Sequence, residues 1–225
     1  MNDTGVLPPG ACGPAGESVT VHPLTLDYTA QTGGNTPKSF NLSLARNLGL
    51  GGTHTDTAAF EAVRTGAKRN YTVLRANASA SVPVAEDWLL GGRLSLQHSG
   101  DPLVPGEQFG AGGANSVRGY QEREVTGDRG VLASVELTGP KLGWAAEHKI
   151  DLRAVAFVDV AQVSNQQGAP CSGTRSSCSL ASLGIGLRLG TANVQARLFV
   201  ANALKDGSTT QSHDWRSHVA LNASF

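Results

Sequence analysis

The sequence predicts an all-β fold: an antiparallel β-barrel that spans a membrane. Apolar and polar residues alternate along most of the chain, which is the period of a strand with two different faces. Long and short links alternate between the predicted strands, as in outer-membrane barrels with extended outer loops and tight inner turns. Helical periodicity is nearly absent, and the strongest candidate, residues 55–69, has no continuous apolar stripe. A soluble β-sandwich remains the alternative, because its strands also alternate.

The alternation is clearest in residues 148–160. One face carries only apolar residues and the other is mostly ionised, as in Ala156 and Val158 against Arg153 and Asp159. Elsewhere the second face holds Gly, Ser and Asn with few charges, which suits a narrow wetted lumen. Nine strands are predicted by this criterion, at residues 18–30, 38–48, 71–82, 89–98, 130–139, 148–160, 180–190, 193–202 and 216–225.

The composition of the chain excludes several classes of protein. The 225 residues carry 18 basic and 18 acidic side chains, so the basic excess of a nucleic-acid-binding protein is missing. Apolar residues make up 40% of the chain, which excludes general disorder. No apolar run is long enough for a transmembrane helix, whereas a spanning strand needs only about 10 alternating residues. Residues 1–5 lack the basic and apolar regions of a secretory signal, so we expect an exported form to be a piece of a longer protein.

No catalytic or metal-binding pattern is present, which predicts a protein that is not an enzyme and needs no cofactor. The sequence has no Gly-x-Ser-x-Gly elbow, no His-Glu-x-x-His and no Cys-x-x-Cys pair. Glu136 and Asp151 share the predicted inner face, where ionised residues are expected without an acid–base role. Cys171 and Cys178 lie seven positions apart in a Ser/Gly-rich run, and either a loop disulfide or two free thiols fits that spacing.

The longest link, residues 99–129, is the most informative segment. A structureless loop of this length inside a compact fold calls for a functional explanation. Its glycines Gly110, Gly112 and Gly113 permit positive φ angles and close approach of the backbone. A mobile surface loop is the simpler interpretation, and a phosphate cradle is weakly supported without a following Lys-Ser/Thr pair.

This link contains the run Gly-Glu-Gln-Phe-Gly-Ala-Gly-Gly-Ala-Asn-Ser-Val-Arg-Gly-Tyr, residues 106–120. The run resembles the signature loop of the outer-membrane translocators of two-partner secretion, the haemolysin-activator proteins, which share a superfamily with outer-membrane assembly pores. The likeness continues through residues 122–128 and 157–161 and covers at least residues 71–225. The first seventy residues match by pattern alone.

The resemblance implies a domain organisation. Residues 1–225 would form the C-terminal part of a transmembrane barrel, the last nine of sixteen strands. The family's periplasmic polypeptide-binding repeats and first barrel strands have no counterpart in the sequence. Residues 99–129 would be the sixth outer loop, which folds back into the lumen.

The resemblance also implies a set of site residues. Within the Val117–Tyr120 motif, Arg118 would contact Asp159, and an arginine makes a directional two-bond contact with a carboxylate that lysine cannot. Gly119 would allow a sharp turn, and Tyr120 would wedge its ring among the lumen walls. Without the resemblance, a solvated Arg118 is the simpler interpretation. Phe225 would be the signal read during outer-membrane insertion, or would only complete a lipid-facing row.

By the same resemblance, the protein would secrete and activate a dedicated haemolysin-like or adhesin-like partner polypeptide. It would lie in the outer membrane of a Gram-negative bacterium as a multi-pass protein. Its partners would be the secreted polypeptide, outer-membrane lipid and the barrel-assembly machinery, with no nucleic acid and no cofactor. An outer-membrane assembly-type barrel and a soluble β-sandwich binding module remain the alternatives.

Overall fold

The computed structural model describes residues 18–143 and 150–224. In these residues one large antiparallel sheet of nine strands and one small sheet of two strands form the fold. Helix α1 (Thr57–Val63) lies between the second and third strands. The strands are β1 (Pro23–Thr32), β2 (Lys38–Asn47), β3 (Thr72–Ala85), β4 (Trp88–Ser99), β5 (Phe109–Ala111), β6 (Val125–Gly127), β7 (Arg129–Lys141), β8 (Asp151–Ser164), β9 (Ser177–Gly190), β10 (Val194–Ala203) and β11 (Trp215–Ala223).

The large sheet is a meander in which each strand pairs with the next one along the chain. Its order is β1-β2-β3-β4-β7-β8-β9-β10-β11, so only the step from β4 to β7 passes over other strands, β5 and β6 of the small sheet. The nine predicted strands and the all-β fold are therefore confirmed. Predicted strand 18–30 began too early, because Val19 and Val21 pack against the hydrophobic cluster around Phe60 instead of pairing with β2. The start of predicted strand 148–160 lies partly outside the described residues.

The two faces of the sheet differ as the alternation predicted. Side chains such as Ile185 and Val219 on one face are 67% and 74% exposed. On the opposite, inner face Asp159 and Ser182 are completely buried. No second layer covers the apolar face in the described residues, so the soluble sandwich is wrong: these side chains have no protein partner to pack against. No helix in the described residues is long and apolar enough to cross a membrane.

Helix α1 lies within residues 55–69, the strongest candidate for a helix in the sequence. The Asp56 side chain caps its N-terminus by accepting a hydrogen bond from the Ala59 amide at 2.8 Å. With only seven residues, the helix buries a single side chain, Phe60, against Tyr71. A single buried side chain in two turns makes no apolar stripe along the helix, so hydrophobic periodicity gives only a weak signal for α1.

The link of residues 99–129 is ordered rather than structureless. It contains a 3₁₀ turn at Pro105–Glu107 and the paired strands β5 and β6. Its apolar residues, among them Val117, pack against Leu132 and Val163 on the inner face of the large sheet. The main hydrophobic core of the described residues thus lies between the link and that face. We call residues 112–124, which β5 and β6 bring together, the loop tip.

Ile185 in β9 tests which face meets lipid. We expect Ile185→Arg to lower the free energy of unfolding in lipid vesicles by about 2–4 kcal/mol, because a cation on the lipid face of a barrel is poorly solvated. Urea titration of the full-length protein measures it. Gln195→Arg, on the inner face of β10, is the control and should cost little. Equal losses for both variants would contradict the assignment of faces.

Candidate functional site

Two glycines start the turn that carries the loop tip. Gly112 and Gly113 have φ angles of +112° and +103°, a region that L side chains rarely adopt. A Cβ on Gly112 would also lie 2.4 Å from the Gln121 carbonyl oxygen. Gly110 differs, since it lies in β5 without a positive φ and a Cβ there would crowd the Arg123 side chain at 2.9 Å. The tip therefore depends on glycine for both conformation and space.

The tip places Arg118 against Asp159 on the inner face of β8. Arg118 Nε donates to Asp159 Oδ2 and Arg118 Nη2 donates to Oδ1, each at 2.7 Å. The Arg118 backbone amide donates to Oδ2 at 3.1 Å, and Ser134 Oγ donates to Oδ1 at 2.6 Å. The Arg118 side chain is 4% exposed and that of Asp159 is completely buried. This forked, multiply hydrogen-bonded geometry is what a buried ion pair requires to offset its desolvation.

Two aromatic rings on the inner face of the sheet pack against the Arg118 guanidinium. Arg118 Cζ lies 3.4 Å from the centroid of the Phe157 ring and 4.9 Å from that of Phe199. The two rings meet edge to face at 5.6 Å. They lie over Gly184 and Gly186, where any Cβ would approach ring atoms to 2.4 and 2.3 Å. The glycines in β9 make room for the rings, and the rings contribute a cation–π contact to Arg118.

Glu136 in β7 is a second carboxylate partner of Arg118. Arg118 Nη1 donates to Glu136 Oε2 at 2.9 Å, and Arg188 binds the other oxygen of the same carboxylate. Asp151 is instead held by Arg153, whose Nε donates to it at 2.8 Å. Each of the two carboxylates is thus neutralised by arginine, an arrangement of structural ion pairs rather than of a general acid and base.

The residues that flank Arg118 fix the tip from both sides. Gly119, with a φ of +95°, donates its amide to His218 Nε2 in β11 at 3.0 Å. Tyr120 is completely buried, and its hydroxyl lies 2.8 Å from the Lys205 carbonyl oxygen, to which it can donate. Burial raises the pKa of the Tyr120 phenol, so the hydroxyl keeps its proton. Val117 is equally buried in the core beneath the tip.

Glu124 joins the tip to the outer link between β10 and β11. Its carboxylate accepts hydrogen bonds from the amides of Thr209 and Thr210, both at 2.7 Å, and from the Gln121 amide at 2.9 Å. Ser208 Oγ donates to the Glu124 carbonyl at 2.6 Å. Burial raises the pKa of Glu124, but these hydrogen bonds to the ionised form outweigh it and lower the pKa to about 2.

A second buried ion pair holds the C-terminal root of the link. Arg64, just after α1, makes a two-bond contact with Asp128, and Arg64 Nη2 donates to Oδ2 at 2.8 Å. The amides of Leu103 and Gln166 also donate to this carboxylate, each at 2.8 Å. Asp128 is completely buried and joins three links of the fold. The resemblance included Asp128 without a role for it, and nothing in the sequence connects it to Arg64, sixty-four residues earlier.

The structure joins Cys171 and Cys178 in a disulfide with Cα atoms 6.1 Å apart. The bond ties the link between β8 and β9 to the start of β9, and both residues are buried. Cys12 and Phe225 lie outside the described residues. Nowhere in residues 18–143 and 150–224 do His, Cys, Asp and Glu side chains cluster as a metal site would require.

A known protein family matches the region that contains this site. The family model of the haemolysin secretion/activation protein ShlB/FhaC/HecB matches residues 17–189, more than half of the chain. The chain belongs to this family. Its matched region includes the whole 99–129 link and Asp159. No curated protein sequence matches the chain.

Solved structures agree on the fold. CdiB from Escherichia coli superimposes with a TM-score of 0.74 at 19% identity, over 91% of this chain and 37% of that one. CdiB from Acinetobacter baumannii gives 0.66 at 18% identity, over 89% and 33% of the two chains. BamA from Haemophilus ducreyi lacking POTRA domains 1–3 gives 0.62 at 19%, over 89% and 41%. This chain therefore spans about a third to two fifths of each of these chains.

Asp159→Ala tests how strongly the tip is held. We expect it to lower the free energy of unfolding of the full-length protein by about 3–5 kcal/mol, because Arg118 would remain buried without its main counter-charge. A double variant with Arg118→Ala should lose less than the sum of the single variants. Lys141→Ala, which removes a pair with side chains 49% and 42% exposed, should cost less than about 1 kcal/mol. Additive single effects would contradict the contact.

The contact between Glu124 and the β10–β11 connection depends on the ionisation of the Glu124 carboxylate and therefore on pH. A lowered pKa means that its stabilisation is complete above the ordinary value of 4.5 and is lost as pH falls toward about 2. We expect residues 204–214 to become accessible to an acid-active protease over this range, and already at neutral pH in Glu124→Gln. Glu86→Gln, in the short β3–β4 turn, is the control. Unchanged accessibility of Glu124→Gln at neutral pH would contradict this role.

Proposed function

We propose that this chain forms the C-terminal part of an outer-membrane translocator that secretes a dedicated partner polypeptide, of the haemolysin or adhesin type, by two-partner secretion. Membership of the haemolysin secretion/activation family supports the secretion class. The observation that carries the proposal is the loop tip, which lies on the inner face with Arg118 buried against Asp159. A structural loop of an ordinary barrel would not need such a tip.

In this proposal the Arg118–Asp159 contact is a reversible latch. The tip lies against the inner faces of β7 to β11, in the space that a passing polypeptide would need. An ion pair that is buried but flanked by further charges can be exchanged for others without breaking a covalent bond. Transport by this route uses no nucleotide and no cofactor; the tip shifts when the partner polypeptide enters and returns after it leaves.

The sheet edges support the proposed domain organisation. In the described residues, β1 and β11 each pair on one side only. Open edges in lipid leave backbone groups without hydrogen-bond partners, which costs several kcal/mol per group. We therefore propose that both edges pair with further strands of a closed barrel, in which this chain supplies the last nine of sixteen strands.

The exposed apolar face supports the proposed location. Residues such as Leu26, Ile185 and Val219 would contact the acyl chains of outer-membrane lipid. The short turns would face the periplasm and the long links the outside. Insertion would use the barrel-assembly machinery, with Phe225 as the recognised terminal residue.

A secretion assay of the full-length protein with its partner tests the proposal. We expect Arg118→Ala and Asp159→Ala each to lower the secreted amount severalfold, while the barrel remains inserted and heat-modifiable on gels. Lys68→Ala, which removes the exposed pair with Asp101 at the start of the link, should secrete normally. Normal secretion by both latch variants would overturn the latch. A general loss of outer-membrane proteins in these variants would favour an assembly-type barrel instead.

A further inference from the structure

Four basic residues form a row across the inner face, on the side of the latch toward the short turns. Lys141, Arg153, Arg188 and Arg197 occupy β7, β8, β9 and β10, and each is directly opposite the next in register. We call these four residues the basic row. Neighbouring strands lie about 4.8 Å apart, so the row extends over about 14 Å. Like charges directly opposite one another destabilise a sheet, so such a row needs a compensating partner.

Carboxylates of the described residues compensate only part of this charge. Asp151 binds both Lys141, at 3.5 Å, and Arg153, and Glu136 binds Arg188. Among the described residues, Arg197 has no ion-pair partner. The same holds, within that part of the chain, for one further cation of the inner face, Arg93 in β4.

All of these cations except Lys141 border one cavity. A space of about 1010 Å³ lies along the inner face beside the latch, and its lining includes Arg93, Arg153, Arg188 and Arg197 but only two carboxylates, Glu136 and Asp151. The whole chain carries equal numbers of basic and acidic residues, 18 of each, so the excess in the cavity is a local segregation of charge. The outer face, in contrast, is apolar. The cavity is therefore built to attract a negatively charged occupant.

We propose that the basic row and Arg93 bind acidic segments of the transported polypeptide in extended form. The inference rests on the proposed function and names the chemistry of its substrate. An extended chain presents every second side chain to the same side, about 7 Å apart, so two or three alternate Asp or Glu residues fit along the row of about 14 Å. Lipid headgroups would approach the outer face, on the other side of the sheet.

Glu136 connects this binding surface to the latch. Its carboxylate is shared between Arg188 of the basic row and Arg118 of the loop tip. An incoming carboxylate that binds Arg188 competes with Glu136 and changes the charge balance around Arg118. A polypeptide that arrives from the side of the short turns would meet the basic row before it reaches the latch.

Peptide binding to the full-length protein in detergent micelles tests the inference. The probe is a fluorescein-labelled 12-residue peptide of alternating Glu and Ser, compared with matched Gln-Ser and Lys-Ser peptides. We expect the Glu-Ser peptide to bind at least about tenfold more tightly than the others and to lose affinity as salt rises. Arg93→Gln/Arg197→Gln should weaken it about fivefold, since two exposed charge contacts are lost. Arg175→Gln/Lys68→Gln, which removes two cations from the outer links, is the matched control.

Equal binding of the three peptides, or an unchanged affinity in Arg93→Gln/Arg197→Gln, would overturn the inference. Displacement of the probe by glycerophosphoglycerol at lower concentration than by unlabelled peptide would also overturn it and assign the site to a lipid headgroup. Neither result changes the secretion assay of the latch variants. If those variants stop secretion while the acidic peptide does not bind, the proposed function stands and this inference fails.

Discussion

The inner face of the sheet depends on one buried contact, that between Arg118 and Asp159. Three hydrogen bonds from Arg118 and one from Ser134 surround the carboxylate, and two phenylalanine rings lie against the guanidinium. Without the arginine, a completely buried aspartate would have no counter-charge, and without the aspartate the tip would lose its main anchor. The contact fixes the 99–129 link against the inner face, where the main hydrophobic core of the described residues lies.

Three separate groups of contacts hold the 99–129 link, each at a different position along it. Its root is tied by Asp128 to Arg64, the C-terminal end of its tip by Glu124 to the amides of residues 209 and 210, and the centre of its tip by Arg118 to the inner face of β8. Only the tip borders the cavity and shares a carboxylate, Glu136, with another arginine. The contacts of Asp128 and Glu124 are separate from the Arg118–Asp159 pair and hold the link at other positions.

Sequence patterning predicted the sheet well because the two faces of each strand have different surroundings. Polar and apolar residues therefore alternate along the strand. The faces of β8 and β9 follow directly from residues 148–160 and 180–190. Arg118 and Asp159 are forty-one positions apart in the sequence. Their contact was expected from the family resemblance and not from periodicity. The Arg64–Asp128 pair and the partners of Glu124 were missed, because each depends on contacts between distant links that leave no periodic signal.

Hydrogen exchange at the loop tip tests the central claim most directly. The amides of Arg118 and Gly119 donate to Asp159 and to His218, both on the wall. In the resting full-length protein, the account predicts slow exchange over residues 117–120, and fast exchange in Asp159→Asn. If residues 117–120 of the unmodified protein exchange as fast as the exposed turn at residues 173–175, the tip is not held by this contact and the account is contradicted.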